Sequence, residues 1–116
     1  MSDPRSPQLL LSDMLDSCRY LVTISSSRSL QEFLADRMLR GSVERELMII
    51  GEALFQLNRE HPEIAALVPE HHKIISFRHV LVHGYAILDR EKVWEVVIRK
   101  LSILQDQLIR LLESTS

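Results

Sequence analysis

Apolar residues recur along this chain at spacings of three and four, the period of a helix with one buried face. Only three glycines and four prolines interrupt its 116 residues, and no segment shows the alternation typical of a strand. The pattern predicts an all-α fold, a compact up-and-down bundle of about five helices. We expect a single helical domain over residues 7–114, preceded by a flexible lead over residues 1–6, which is polar and contains Pro4.

The first half of the chain predicts three helices. The first runs from about Pro7 to Ser25 and has an apolar face made of Leu10, Met14, Leu15, Cys18, Leu21 and Val22. The capping-box sequence Ser29-Leu30-Gln31-Glu32 predicts the start of a short second helix. A longer third helix follows, after or through Gly41-Ser42, and ends before Pro62. Its apolar face is Val43, Leu47, Ile50, Ala53, Leu54 and Leu57. Because an interior glycine costs about 1 kcal/mol relative to alanine, Gly51 indicates the close approach of another helix.

The second half predicts two more helices after a brief helical turn over residues 63–68. One runs from Glu70 to about Leu88. Asp89 is a candidate N-cap for the last helix, which extends to about Glu113. The apolar seam of that helix is Val93, Val97, Leu101, Leu104, Leu108 and Leu111.

Composition restricts the function classes. A net charge of −2 lacks the basic excess of a nonspecific nucleic-acid coat, so any nucleic-acid contact must be local. No apolar run approaches the roughly 20 residues of a membrane span, and the polar start does not resemble a secretion signal, which predicts a cytoplasmic protein without membrane contact. Cys18 is the only cysteine, so neither an intrachain disulfide nor a cysteine zinc cluster can form, and a small buried thiol is expected.

The candidate chemistry lies in one segment, Arg78-His79-Val80-Leu81-Val82-His83-Gly84-Tyr85. Arginine can fork onto a phosphate, histidine can move a proton near neutral pH, and tyrosine carries a modifiable hydroxyl. On a helix advancing about 100° per residue, Arg78 and His83 point about 140° apart. Their cooperation therefore requires the long arginine arm, a distortion near Gly84 or a second chain.

Two other interpretations of this segment remain open. In a structural interpretation Arg78 snorkels, His83 is half-buried with its bonds satisfied, and Tyr85 packs with its hydroxyl at the surface. In a metal-binding interpretation His79 and His83, spaced i, i+4, share an ion. The sequence offers no acidic third ligand at a recognisable spacing, so we expect no metal.

The order Arg78-x4-His83-x-Tyr85 resembles the signature of the HEPN ribonuclease superfamily, and specifically its HepT-like toxin branch. Two further landmarks are similar to that branch. They are Ile49-Ile50-Gly51-Glu52-Ala53 and Val93-Trp94-Glu95. The resemblance spans roughly Leu9 to Leu112. The residue after the arginine is commonly Asn in this branch and is His79 here, whose imidazole can still donate or accept a hydrogen bond.

The resemblance implies a HEPN-like bundle that forms a homodimer and acts on RNA, such as tRNA or mRNA, as a metal-independent endoribonuclease toxin without a cofactor. It implies Arg78 and His83 as catalytic residues, His79 as a supporting residue, and a composite cleft of two motif helices. It also implies a bacterial or archaeal toxin–antitoxin pair of a type VII-like kind. The implied partner in that pair is a nucleotidyltransferase antitoxin that adenylylates Tyr85. The alternatives are an inactive RNA- or nucleotide-binding module of the same fold and a structural dimerisation protein.

Overall fold

The computed structural model describes residues 6–83 and 89–115, and in these two ranges every regular element is an α-helix. The elements are α1 (Pro7–Ser25), α2 (Leu30–Ala35), α3 (Arg37–Glu60), α4 (Pro62–Ala65), α5 (His71–His83) and α6 (Arg90–Thr115). The all-α bundle expected from the sequence is confirmed. The one element beyond the expected five is α4, a single turn that the sequence predicts as part of a short helical segment.

The helix starts are determined locally by side-chain caps. Ser6 accepts a hydrogen bond from the amide of Leu9 at 3.2 Å, and Pro7 occupies the first turn, where its missing N–H costs nothing. At α2 the predicted capping box is complete, because the side chains of Ser29 and Glu32 each accept an amide hydrogen bond from the other residue at 3.1 Å. The predicted bounds of α1 and the predicted start of α2 therefore agree with the structure.

The long helix α3 continues through Gly41 and Ser42, which the sequence left open as a possible break. Asp36 caps its start by accepting from the amide of Leu39 at 3.1 Å. The end at Glu60, just before Pro62, is where the sequence predicted it.

The centre of the bundle is formed by the three long helices, with α1 packed on both α3 and α6, while α5 packs on α3. All six residues of the predicted α3 face are buried, and most of the other two predicted faces are buried as well. Val22, Leu104 and Leu111 are only partly buried against this core. Phe33 of α2 stacks on Trp94 of α6, with ring centroids 4.8 Å apart, and so covers one end of the core.

Cys18 lies in this core with no exposed surface, as the sequence predicted. Burial raises the pKa of its thiol to about 12, because the surrounding apolar side chains do not solvate a thiolate. The residue is therefore part of the packing and is not a reactive nucleophile.

Charged contacts connect α5 to α6 at the start of the motif helix. The carboxylate of Glu70 accepts from the ammonium groups of Lys100 at 3.2 Å and Lys73 at 3.4 Å. These two bonds lower the pKa of the Glu70 carboxyl, and the bond to Lys100 has the larger effect. Asp89 caps α6 by accepting from the amide of Lys92 at 3.2 Å, as predicted.

The predicted extension of α5 to Leu88 falls on residues 84–88, which lie outside the described residues. Within the described part of the chain, none of the helices combines the length and the apolar character that crossing a membrane requires.

Candidate active site at the contact of α3 and α5

The site begins with a close contact between Gly51 and Arg78. A Cβ atom placed on Gly51 would overlap the Cβ of Arg78 and would lie 2.6 Å from its Cγ and 3.3 Å from its Cα. Only a residue without a side chain lets α5 approach α3 this closely. The sequence-based prediction that Gly51 permits close helix approach is confirmed, and the helix that approaches is the one carrying the motif.

The guanidinium of Arg78 then turns along α3 to the residue after that glycine. Its Nη2 donates to Oε2 of Glu52 at 2.5 Å, a charge-assisted hydrogen bond across the helix contact. The arginine side chain is only 18% exposed, whereas that of Glu52 is 46% exposed. Among the described residues, the buried Nε of Arg78 has no hydrogen-bond acceptor. Arg78 is thus held in one orientation by a carboxylate that faces solvent.

Phe55 supplies a third contact to the same guanidinium. The Cζ atom of Arg78 lies 4.9 Å from the centroid of its ring, within cation–π range. Because Phe55 follows Glu52 by three positions on α3, both side chains lie on the face of that helix that Arg78 crosses. A carboxylate and an aromatic ring thus determine the position of the cation together.

His79 and His83 lie on the exposed side of α5. Their ring centroids are 4.2 Å apart with the planes at 64°, an edge-to-face contact. Both residues are solvent-exposed. The i, i+4 spacing therefore does bring the two imidazoles into contact, and within residues 6–83 and 89–115 no group of three His, Cys, Asp or Glu side chains is arranged to hold a metal ion.

The structure thus distributes the sequence-predicted residues over two neighbouring surfaces of α5. Arg78 turns inward onto α3, and His79 and His83 face solvent, as their large angular separation on a helix requires. Tyr85, the predicted modification site, lies outside the described residues. Lys73, a basic residue in the first turn of α5, donates a hydrogen bond to Glu70 at 3.4 Å.

Sequence reasoning assigned no role to two residues of this site, Glu52 and Phe55. The sequence contained a signal for Glu52 only, because Gly51 and Glu52 belong to one of the two landmarks that resemble the family. Which side chain of α5 would meet that pair depends on how the two helices cross, and a helical pattern alone does not specify the crossing.

The all-α fold agrees with the class of helical ribonucleases that the motifs of this chain resemble. Residues 14–111 match the model of a family described as ribonuclease HepT-like. This chain therefore belongs to the ribonuclease HepT-like family, as the resemblance of its motifs indicated.

Individual relatives agree with this family. The chain is 28% identical to a protein named a putative RNase from Caldanaerobacter subterraneus subsp. tengcongensis, covering 94% of this chain and 96% of the relative. It is 30% identical to another protein named a putative RNase, from Methanocaldococcus jannaschii, over 80% of this chain and 84% of the relative. No solved structure matches the chain.

Proposed function

We propose that this protein is a metal-independent endoribonuclease that acts as the toxin of a toxin–antitoxin pair. The observation that carries the proposal is the placement of two complementary groups on one short helix. A cation is held in a defined orientation by Glu52 and Phe55, and a pair of touching imidazoles, His79 and His83, lies exposed on the same helix. These are the two chemical functions that cleavage of RNA needs.

The proposed reaction uses the nucleophile that RNA itself contains. His83 takes the proton from a 2′-hydroxyl, whose oxygen attacks the adjacent phosphorus. The bond from phosphorus to the 5′ oxygen breaks, and that oxygen leaves with a proton from water or from a protonated imidazole. The products are a 2′,3′-cyclic phosphate and a free 5′-hydroxyl end, and Arg78 stabilises the negative charge that builds on the phosphate.

Glu52 has a specific place in this proposal as the residue that positions Arg78. The carboxylate engages one guanidinium nitrogen, and a planar guanidinium has further N–H donors with which to meet a phosphate. Because Glu52 is about half exposed, water solvates it and its hold on the cation can be shared with an incoming anion. The arginine is thereby oriented before RNA arrives, which reduces the entropy lost on binding.

We further propose that two copies of the chain pair through α5, as the resemblance implies. Val80 and Val82, which lie between the two imidazoles in sequence, are 38% and 45% exposed on this helix. Apolar side chains next to catalytic groups are what a second subunit would cover. Pairing would also bring the Arg78 of one copy toward the His83 of the other, which would offset their separation on a single helix.

The first expected result is that cleavage does not need a divalent ion. Purified protein incubated with single-stranded RNA in excess EDTA should cleave as fast as it does without EDTA, because the proposed site contains a cation of its own. Separation of the labelled fragments and analysis of their ends for a cyclic phosphate provide the measurement. Complete loss of cleavage on chelation, restored by added magnesium, would contradict the proposal.

The second expected result concerns Tyr85 and the antitoxin. We propose that a small nucleotidyltransferase partner adenylylates this tyrosine, which adds a bulky, negatively charged group close to His83 in the sequence. Protein coexpressed with that partner should carry the mass of one AMP on the peptide containing Tyr85, and the Tyr85→Phe variant should stay unmodified and toxic. Full neutralisation of the toxin with an unmodified peptide would show that the antitoxin acts in another way.

The bond to Glu52 also favours a second candidate function, in which Arg78 only joins α5 to α3 and the protein binds RNA or a nucleotide without cleaving it. The two candidates differ in a simple measurement. A binding module shifts labelled RNA in a gel and leaves it whole, and its expression does not stop the growth of cells. For the toxin we propose the cytoplasm as the site of action, where its RNA substrate is located.

A further inference from the structure

We propose that Phe55 and Arg59 on α3 form a second nucleotide-binding subsite, which takes the phosphate next to the one that is cleaved. This inference rests on the proposed function, because it extends the same RNA path from Arg78 along α3. Its ligand is single-stranded RNA with at least two phosphates. Arg59 would be a binding residue outside the reacting atoms.

The geometry begins with two cations that share one ring. The Cζ atoms of Arg78 and Arg59 lie 4.9 Å and 5.9 Å from the centroid of the same Phe55 ring. The arginines come from different helices, and they are brought together only where α5 crosses α3. Two guanidinium groups therefore meet at one ring, and each has one carboxylate partner, Glu52 for Arg78 and Glu60 for Arg59. A phosphate that shares or displaces these carboxylates would find two sets of guanidinium donors close together.

The two cations differ in exposure, and only 18% of the Arg78 side chain is exposed. Arg59 is 59% exposed, and its only described ion pair is with the adjacent residue Glu60, at 3.4 Å. Exposed pairs of this kind contribute from nothing to about 1 kcal/mol, so a phosphate can replace the carboxylate at low cost. A guanidinium placed over an aromatic ring keeps its N–H donors at its own edge, where they can meet phosphate oxygens.

The ring adds a second kind of contact. Phe55 is 36% exposed, which is unusual for a large apolar residue next to a well-packed core. In proteins that bind single strands, aromatic and guanidinium planes stack with unpaired bases, and basic side chains follow the backbone. Phe55 and its two arginines bring an aromatic ring and two sets of N–H donors together.

Two other basic residues near α5 do not offer the same site. Lys73 and Lys100 both bond to Glu70, which connects the start of α5 to α6. They therefore lie at the opposite end of α5 from His83 and share one carboxylate. Arg59 shares the Phe55 ring with Arg78, so the RNA path is predicted to run along α3 from Arg78 toward the end of that helix.

The experiment compares Arg59→Ala with a matched control, Arg99→Ala. Arg99 is also an exposed helical arginine with one carboxylate nearby, that of Glu95 at 3.7 Å, but it lies on α6. Two substrates are used, a dinucleoside monophosphate, which has a single phosphate, and a single-stranded RNA of about ten nucleotides.

For the longer RNA, Arg59→Ala should raise KM roughly three- to tenfold with kcat nearly unchanged, because one phosphate contact is lost outside the reacting centre. The slope of log affinity against log salt should become shallower by about 0.7. The dinucleoside monophosphate should show no change, and Arg99→Ala should behave as the wild type on both substrates.

Several outcomes would overturn the subsite. Equal effects of Arg59→Ala on the two substrates would mean that the residue acts on the cleaved phosphate or on the fold. Equal behaviour of Arg59→Ala and Arg99→Ala would mean that only general surface charge matters. If the wild type cleaves no RNA, the proposed function fails, and the affinity for the same oligonucleotide with 2′-O-methyl groups decides the subsite separately: unchanged affinity in Arg59→Ala overturns it.

Discussion

Replacing His83 with alanine should reduce RNA cleavage at least 100-fold while leaving the fold intact. The physical reason for the first effect is that general acid–base catalysis by a positioned side chain contributes about 10²- to 10⁴-fold to rate. The reason for the second is that His83 is solvent-exposed at the described end of α5, so that removing the imidazole leaves no cavity in the core. Initial cleavage rates and thermal unfolding of the same preparations are the two measurements.

The matched control for this variant is His72→Ala. His72 is another exposed histidine of α5, placed in its first turn and away from Arg78. The control should keep the wild-type cleavage rate and a similar melting temperature. If His83→Ala cleaves as fast as His72→Ala, the imidazole is not part of the reaction. If it instead loses stability and dimer formation together, the interpretation of the motif as a structural interface gains support.

Replacing Gly51 with alanine should lower the free energy of unfolding by about 1–3 kcal/mol, the usual range for forcing an extra methyl group into a filled space. The new Cβ would meet the Cβ and Cα of Arg78, which are fixed to the helix backbone and are not the mobile end of a side chain. The helix α5 would have to move away from α3 as a whole. Urea unfolding followed by circular dichroism measures the effect.

Gly41 offers a matched control on the same helix. It is exposed, and a Cβ there would have no atom within 4 Å, so Gly41→Ala should stabilise the protein by up to about 1 kcal/mol through helix propensity alone. Opposite signs for the two glycine variants are expected. Stabilisation by both would show that α5 does not press on Gly51 as the structure describes, and the support for Arg78 by α3 would then be lost as well.

The glycine variant also connects the fold to the proposed chemistry. Glu52 and Phe55 hold Arg78 only while α5 lies close to α3, because both contacts reach across that helix crossing. A shift of about 1 Å in a positioned group can lower a reaction rate by about 100-fold. Gly51→Ala is therefore expected to impair cleavage under conditions in which the protein is still folded.

The helices themselves were largely predictable from the chain. The start of α2 follows from Ser29 and Glu32, because this capping box acts within one turn of the backbone and needs no distant partner. The cap of α1, Ser6, belongs to the segment that the sequence assigned to a flexible lead. The buried face of α3 follows from its apolar period. The role of Gly51 was also readable, since an interior glycine in a helix needs a reason to be there.

The candidate site was predictable only in its chemistry. Arg78, His79 and His83 stand out as polar groups in an apolar helix, but their orientations depend on which helix packs against α5. That partner is α3, and it turns the guanidinium toward Glu52 and Phe55. The role of Arg59 could not be predicted for the same reason, because the packing of α5 on α3 is what brings Arg78 to the ring that Arg59 also contacts.

The sequence by itself determined what depends on neighbours within a few residues along the chain, namely helix starts, helix faces and the spacing of the motif. The tertiary structure alone decided what Arg78 touches and which other cation stands beside it. The physical reason is range, because caps and helical periodicity act over a few residues, whereas the contact of α5 with α3 joins residues that are 26 positions apart.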